Sequence, residues 1–348
     1  MPVIETVPPD ELGARVHRDP RALSDALERG SIVFFPRCPL PLPAEDELDF
    51  LRDGLADKLA RKNVSWYFAS DRLKGMPDDA AAKRTQALLK AHAGNVRAFL
   101  EGSMPEFARG WTPGTTSFRP MQEKGRALSA HASNERVHVD AGAYGATHGD
   151  RILRFFVNVN RREDRVWVSK GTFPQLFAEH GQAAGVAGVA ADPIVAESPR
   201  DDSPKPEEKL VESANDLVAT QTVATQTIRR NPVREGPLDK AFSATVRAGS
   251  RVMPMLKMID SSPYDRLMRR FHNWMKDSPS FRDSSKGLET FRFPPYSAWM
   301  VLTDQVSHAC IEGQHALVDT FVVPLANCRL RDLSPYEILR TGHVPEAR

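Results

Sequence analysis

The sequence predicts a mixed fold of the α+β class, mainly β, with helices flanking an antiparallel sandwich or barrel. Three observations carry this reading. From Thr115 the chain runs in short β-branched and aromatic segments, TTSFR, RVHVD, ILRFFVNVN and VWVS, and does so again at 298–303 and 316–323. Such runs, broken by Gly, Pro and Asn, are the pattern of antiparallel sheets. The first hundred residues instead place apolar side chains at helical spacing, and 27 Pro in 348 residues exceed the ordinary ~5% and multiply the breaks.

In chain order, residues 20–30 read as a short helix stopped by Gly30, followed by the apolar strand 31–35. Pro36, Pro39, Pro41 and Pro43 then interrupt regular structure. Residues 44–60 return to helical spacing, with Leu48, Leu51, Leu55 and Leu59 on one stripe, and a longer helix over 79–102 carries Ala82, Leu88, Leu89, Val96, Phe99 and Leu100. Both stripes are read as core packing. The stretch 178–241 contains no aromatic residue and is rich in Ala, Pro, Ser, Thr, Asp and Glu, so it cannot offset the entropy of ordering. Ser262-Pro263-Tyr264-Asp265 is a capping-box start with Pro at the first helical position. The expected organisation is one domain over 1–348. Residues 1–110 form a helical N-terminal part, and 111–177 with 255–325 form the β core, which includes a helical segment near 262–277. Residues 190–235 are a flexible insertion, and 326–348 a C-terminal tail.

Composition narrows the function. A formal net charge of +2 excludes a polybasic nucleic-acid packager and an acidic disordered tail. Cys38, Cys310 and Cys328 are too few and too scattered for a disulfide framework or a cysteine-ligated metal. No apolar run reaches the ~18 residues of a membrane span, and Met1-Pro2-Val3-Ile4-Glu5 has no secretory character. A soluble, cytoplasmic protein is expected. The average charge conceals an uneven distribution: residues 109–170 hold eleven Lys and Arg against six Asp and Glu.

The sharpest local feature is His138-Val139-Asp140. On a strand, positions i and i+2 share a face, so an imidazole and a carboxylate would project together. A second His from a distant strand would complete a 2-His-1-carboxylate facial triad for a divalent first-row metal. His308 lies between the strands 298–303 and 316–323, and His315 is its main rival. His17, His92, His180 and His343 read as exposed, His131 and His148 flank the HxD segment, and His272 sits in the helix begun by Pro263.

The runs GTTSFRP (114–120), RVHVDAG (136–142), RILRFFVNVN (151–160) and WMVLTDQVSHACIEGQHALVDTFVVP (299–324) resemble those of the 3-deoxy-D-manno-oct-2-ulosonic acid (Kdo) hydroxylases. A fainter likeness covers 62–76. The resemblance implies a double-stranded β-helix, a jelly-roll or cupin-like core, and matches the metal ligands to His138, Asp140 and His308. It implies Fe(II), 2-oxoglutarate as co-substrate and O2, with ascorbate supportive. The implied reaction is hydroxylation at carbon 3 of Kdo in Kdo-lipid A, giving D-glycero-D-talo-oct-2-ulosonic acid. The expected partner is therefore a lipopolysaccharide-type glycolipid, met by peripheral contact with the inner membrane. No nucleic-acid motif and no protein partner can be read from the chain.

The distal carboxylate of 2-oxoglutarate needs a cation, preferably a bidentate Arg. Position 320, where related dioxygenases carry it, is Thr. Alternation over 151–160 groups Ile152, Arg154, Phe156, Asn158 and Asn160 on one face, so Arg154 is the expected anchor, with Asn158 and Thr320 as helpers. Arg119, Arg126 and Arg162 are the expected contacts to the anionic sugar. Two rival readings stay open at this point: a jelly-roll binding protein for acidic glycans without redox activity, and a dioxygenase with another sugar or lipid substrate.

Overall fold

The computed structural model describes residues 2–55, 63–77, 79–125, 133–142, 145–187, 232–233, 235–249 and 261–345. Among these, the strands are β1 (Ile4–Thr6), β2 (Ile32–Phe35), β3 (Val64–Tyr67), β4 (Arg72–Lys74), β5 (Thr112–Arg119), β6 (Arg151–Asn158), β7 (Arg165–Ser169), β8 (Glu289–Phe293), β9 (Ala298–Leu302), β10 (Ala309–Glu312) and β11 (Ala316–Val323). The helices are α1 (Pro9–Arg18), α2 (Ala22–Glu28), α3 (Glu45–Asp53), α4 (Ala80–Ser103), α5 (Phe173–His180), α6 (Pro237–Gly249), α7 (Pro263–Asp277), α8 (Pro279–Arg282) and α9 (Pro335–Thr341). The insertion expected over 190–235 falls almost wholly outside the described residues, as does Leu59 of the Leu stripe.

Eight strands make one sheet in the order β1-β2-β9-β6-β11-β5-β3-β4, and β10-β7-β8 make a second. The N-terminal part expected to be helical therefore also supplies β1 to β4. All four are only three or four residues long, and two of them pair with strands more than two hundred or about fifty residues away in sequence (β2 with β9, β3 with β5). Of the four, β2 is the strand read at 31–35, whereas nothing local announces β1, β3 and β4.

Alternation on β6 explains the layering. Leu153, Phe155 and Val157 turn outward into a core shared with Leu89, Val96 and Leu100 of α4 and Leu317 and Phe321 of β11. The opposite face of the sheet places Phe156 in a core with Trp167, Phe293, Trp299 and Val318, between the two sheets. Both faces of the central strands are buried, so the polar members of the inner face stand inside the barrel. Helix α4 begins where the Asp79 carboxylate accepts the Ala82 N–H at 2.8 Å. The capping box predicted at Ser262 is present: its hydroxyl accepts the Asp265 N–H at 3.2 Å, and its own N–H donates to the Asp265 carboxylate at 3.1 Å. No described helix is long and apolar enough to cross a membrane.

Candidate metal centre

His138 and His308 are joined by an isolated antiparallel bridge, with His138 N–H donating to the His308 carbonyl at 3.1 Å and the reverse bond at 2.8 Å. The HxD segment is thus not in a regular strand as the sequence predicted. It keeps strand-like direction because the Asp140 N–H also donates to the Thr303 carbonyl at 2.8 Å. The bridge brings the imidazoles together with ring centroids 4.8 Å apart. One ligand atom from each of His138, Asp140 and His308 lies within 4.8 Å of the others. His315, the rival ligand, is elsewhere, stacked on Phe118 at 6.1 Å.

Hydrogen bonds fix which nitrogens are available. His138 Nδ1 meets the Arg136 carbonyl at 2.7 Å, and His308 Nδ1 meets the Val306 carbonyl at 3.0 Å. A carbonyl can only accept, so each Nδ1 carries the proton and each Nε2 offers a lone pair. Burial, then repulsion from His308 and His272, holds the His138 pKa well below that of free histidine, and burial likewise lowers His308. Burial opposes ionisation of Asp140, but the Arg154 guanidinium and the two imidazoles outweigh it and keep the carboxyl well below its usual range. Two neutral Nε2 atoms and one carboxylate are the protonation states that metal binding requires. They are also a donor set suited to Fe(II) with open positions, and all three residues are buried, at relative exposures of 6%, 8% and 8%.

The turn 303–308 is tied down on every side. Asp304 Oδ2 accepts from Arg151 Nε at 2.6 Å, and its Oδ1 takes the Ile152 N–H at 3.1 Å. Gln305 accepts from Arg151 Nη2 at 2.9 Å and donates to the Leu333 carbonyl at 2.9 Å. Ser307 donates to the Gly171 carbonyl at 2.8 Å. The His308 ring stacks on Trp167 at 5.1 Å, and Trp167 stands edge-on to Phe156 at 4.8 Å, so the imidazole has a rigid aromatic wall.

Arg154 lies inside the barrel with Nη2 2.8 Å from Asp140 Oδ2, an ion pair with a metal ligand. Thr320 sits directly across from it in the β6–β11 register. Arg119 shares this interior with its guanidinium 5.9 Å from the Phe156 ring, and Arg165 is sealed behind it against Glu123 at 3.1 Å. Gly313, at a φ of +127°, is required there, because a Cβ would come within 2.8 Å of the Arg165 side chain. Three guanidiniums thus face two carboxylates, Glu123 and Asp140. Nε of Arg119, of Arg154 and of Arg165 has no hydrogen-bond partner among the described residues. Burial, with Arg165 close by, pulls the Arg119 pKa down to about 10.

Other expectations need correction. Asn158 donates to the Glu163 and Phe293 carbonyls at 2.9 and 2.8 Å and accepts the Asn160 N–H at 3.0 Å, so its amide is committed to the turn after β6. Arg162 is exposed on that same turn, at the end of β6 away from Arg151 and the triad. Arg126 lies outside the described residues.

The sequence reading also missed what α7 does. Asp265, His272 and Lys276 fall on one face of that helix at spacings of seven and four. Asp265 accepts the Thr147 N–H at 2.7 Å, His272 Nδ1 meets the Val139 carbonyl at 2.7 Å, and Lys276 donates to the Ser133 carbonyl at 3.2 Å. This polar stripe holds the metal-ligand segment where no strand flanks it. The capping box and apolar stripe marked the helix, but nothing local marked its polar face as a clamp.

Acid should unfold the metal-free protein early. His272 and His315 titrate at about 4 when folded, chiefly through burial, against 6.5 for free histidine, and His138 and His308 are lowered in the same direction. A depressed histidine pKa means the unfolded chain takes up protons first. The histidines' contribution is therefore complete above pH 6.5 and is lost as pH falls toward 4, by on the order of 3 kcal/mol from His272 alone. Urea titrations of the apo protein at pH 7.5, 6, 5 and 4 check this; a flat midpoint between 6.5 and 4.5 contradicts it.

The 3-deoxy-D-manno-oct-2-ulosonic acid (Kdo) hydroxylase family matches residues 13–343. This chain belongs to that family. Among solved structures, this Kdo hydroxylase family member is similar to the Kdo hydroxylase KdoO, described as a non-haem Fe(II) α-ketoglutarate-dependent dioxygenase. The complex of KdoO with α-ketoglutarate and Fe(III) superposes with a TM-score of 0.68 at 25% identity, covering 98% of this chain and 95% of that one. Its apo form gives 0.66 at 26%, with the same coverage, and its cobalt(II) complex 0.69 at 25%, covering 99% and 98%. No curated protein gives a match.

Proposed function

We propose that this chain is an Fe(II)/2-oxoglutarate-dependent hydroxylase that oxidises carbon 3 of Kdo in a Kdo-lipid A type glycolipid. The observation that carries the reading is the triad itself: two imidazoles with Nε2 free and an ionised carboxylate, converging inside a barrel lined by guanidiniums. His138, Asp140 and His308 would hold the iron. Bound with 2-oxoglutarate and O2, it supplies the oxidation that exchanges a C–H for a C–OH while 2-oxoglutarate becomes succinate and CO2.

The chain's own residues do the rest. Arg154 keeps Asp140 ionised and holds its Oδ2, leaving Oδ1 toward the His138 Nε2 at 3.7 Å. Arg119 has a relative side-chain exposure of 13% and only a loose contact, 3.9 Å, with Glu123. Its spare donors suit the distal carboxylate of 2-oxoglutarate, with Arg154 and Thr320 beside it. Arg165, fully buried, supplies charge from behind. The excess of guanidinium over carboxylate suits a dianion in a dry site, where the pairing is strong and water is excluded. We place the enzyme in the cytoplasm, in peripheral contact with the inner membrane that carries its substrate.

Incubation with Kdo-lipid A, Fe(II), 2-oxoglutarate and ascorbate should add one oxygen to the Kdo unit, read by mass spectrometry with fragmentation. Oxygen found elsewhere on the glycolipid would discard the substrate assignment. In the same assay Arg119→Gln should require about tenfold or more 2-oxoglutarate, the cost of a lost charged hydrogen bond. An unchanged KM for 2-oxoglutarate would remove Arg119 from that role.

A further inference from the structure

The clamp on the metal-ligand segment contains a group that holding the backbone does not exhaust. His272 Nδ1 is 2.7 Å from the Val139 carbonyl, the residue between the two HxD ligands, so Nδ1 carries the proton and Nε2 is an acceptor. The ring stands edge-on to His138 with centroids 4.8 Å apart. Nε2 has no hydrogen-bond partner among the described residues, yet it is not among the buried polar atoms sealed without one. The His272 side chain is only half-buried, and its ring lies against that of His138. The two sides of the centre differ in chemistry. Arg154 meets Asp140 and belongs with the guanidiniums that suit a dicarboxylate. His272 meets His138 and presents a neutral lone pair, which repels a carboxylate and welcomes a hydroxyl.

We propose that His272 Nε2 accepts a hydrogen bond from a hydroxyl group of the sugar being oxidised, and so helps to aim its C–H bond at the metal. This rests on the reading of the chain as a Kdo hydroxylase, and adds to it a polyhydroxylated-substrate contact on α7. A site built to bond a hydroxyl discriminates against analogues lacking it, because the acceptor is otherwise left unpaired. His272 thereby serves the substrate through one nitrogen and the ligand backbone through the other.

The two nitrogens can be separated by substitution. His272→Asn keeps an amide N–H near the position of Nδ1, so it retains the bond to Val139, and has nothing at Nε2. His272→Phe keeps the ring against His138 and loses both. For the Asn variant, the anaerobic Fe(II)–2-oxoglutarate charge-transfer band should form with wild-type affinity for both. Displacement of that band by Kdo-lipid A should require about five- to tenfold more glycolipid, and KM should rise alike, as expected for one lost hydrogen bond. The Phe variant should in addition bind Fe(II) more weakly. An Asn variant with wild-type glycolipid affinity overturns the proposal. So does one that no longer forms the band, which would make His272 part of the metal site itself. A wild-type enzyme that forms the band but never oxidises Kdo-lipid A overturns the functional reading and this contact with it; a wild-type enzyme that does so separates the two.

Discussion

His308→Ala is expected to abolish oxygenation, with a loss larger than the about 100-fold that removal of an outer-shell partner brings. The reason is that, among the described residues, His308 is the side chain that completes a metal-holding group with His138 and Asp140. His315, the rival in the sequence, faces Phe118 instead. The visible band of the anaerobic Fe(II)–2-oxoglutarate complex should disappear in His308→Ala and in His138→Ala. The fold should survive, because the bonds that join the two segments run through the backbone of these residues, at 2.8 and 3.1 Å. Near-ultraviolet circular dichroism should show one change, in the signal of Trp167, which loses its stacked imidazole. A His308→Ala protein that keeps the band and produces succinate would show that the metal is held elsewhere.

Much of this centre was legible because its signals are local. An HxD triplet needs only the alternation of extended chain, and the strands that carry Arg154 and Thr320 alternate cleanly. The face of β6 that holds Arg154 does point inward, as the grouping of Ile152, Arg154 and Phe156 implied. What was not legible depends on distant pairing. A basic stretch shows only that Arg119 is cationic; its place in the barrel beside Arg154 comes from the pairing of β5 with β11. Arg162 belongs to the same basic stretch but falls past the end of β6, where its charge is spent on solvent. Asn158 shows the limit of parity: it has the right face, but the turn that follows claims its amide.

The charge pair beneath the distal histidine makes the strongest stability prediction. Arg151 and Asp304 are buried to 0% and 1% relative exposure, 2.6 Å apart, and the same carboxylate caps the Ile152 N–H. Arg151→Leu removes one charge and strands the other, which should cost about 3–5 kcal/mol. Asp304 lies four residues before His308, so Fe(II) affinity should fall with it, by about 10–100-fold. The pH dependence follows from burial, which already raises the Asp304 pKa against the pull of Arg151. Without Arg151 it rises further, so the folded variant takes up a proton sooner than the unfolded chain, and the destabilisation shrinks as pH falls from 8 toward 5. Adding Asp304→Asn tests the cause. The amide oxygen can still accept from Ile152, but no charge is left unpaired, so the double variant should regain most of the lost stability and metal affinity. If the single variant melts within about 1 kcal/mol of wild type, a loss no larger than that of an ordinary surface pair, the turn owes its shape to the backbone alone. If the double variant is no better than the single one, geometry and not charge is what Arg151 provides.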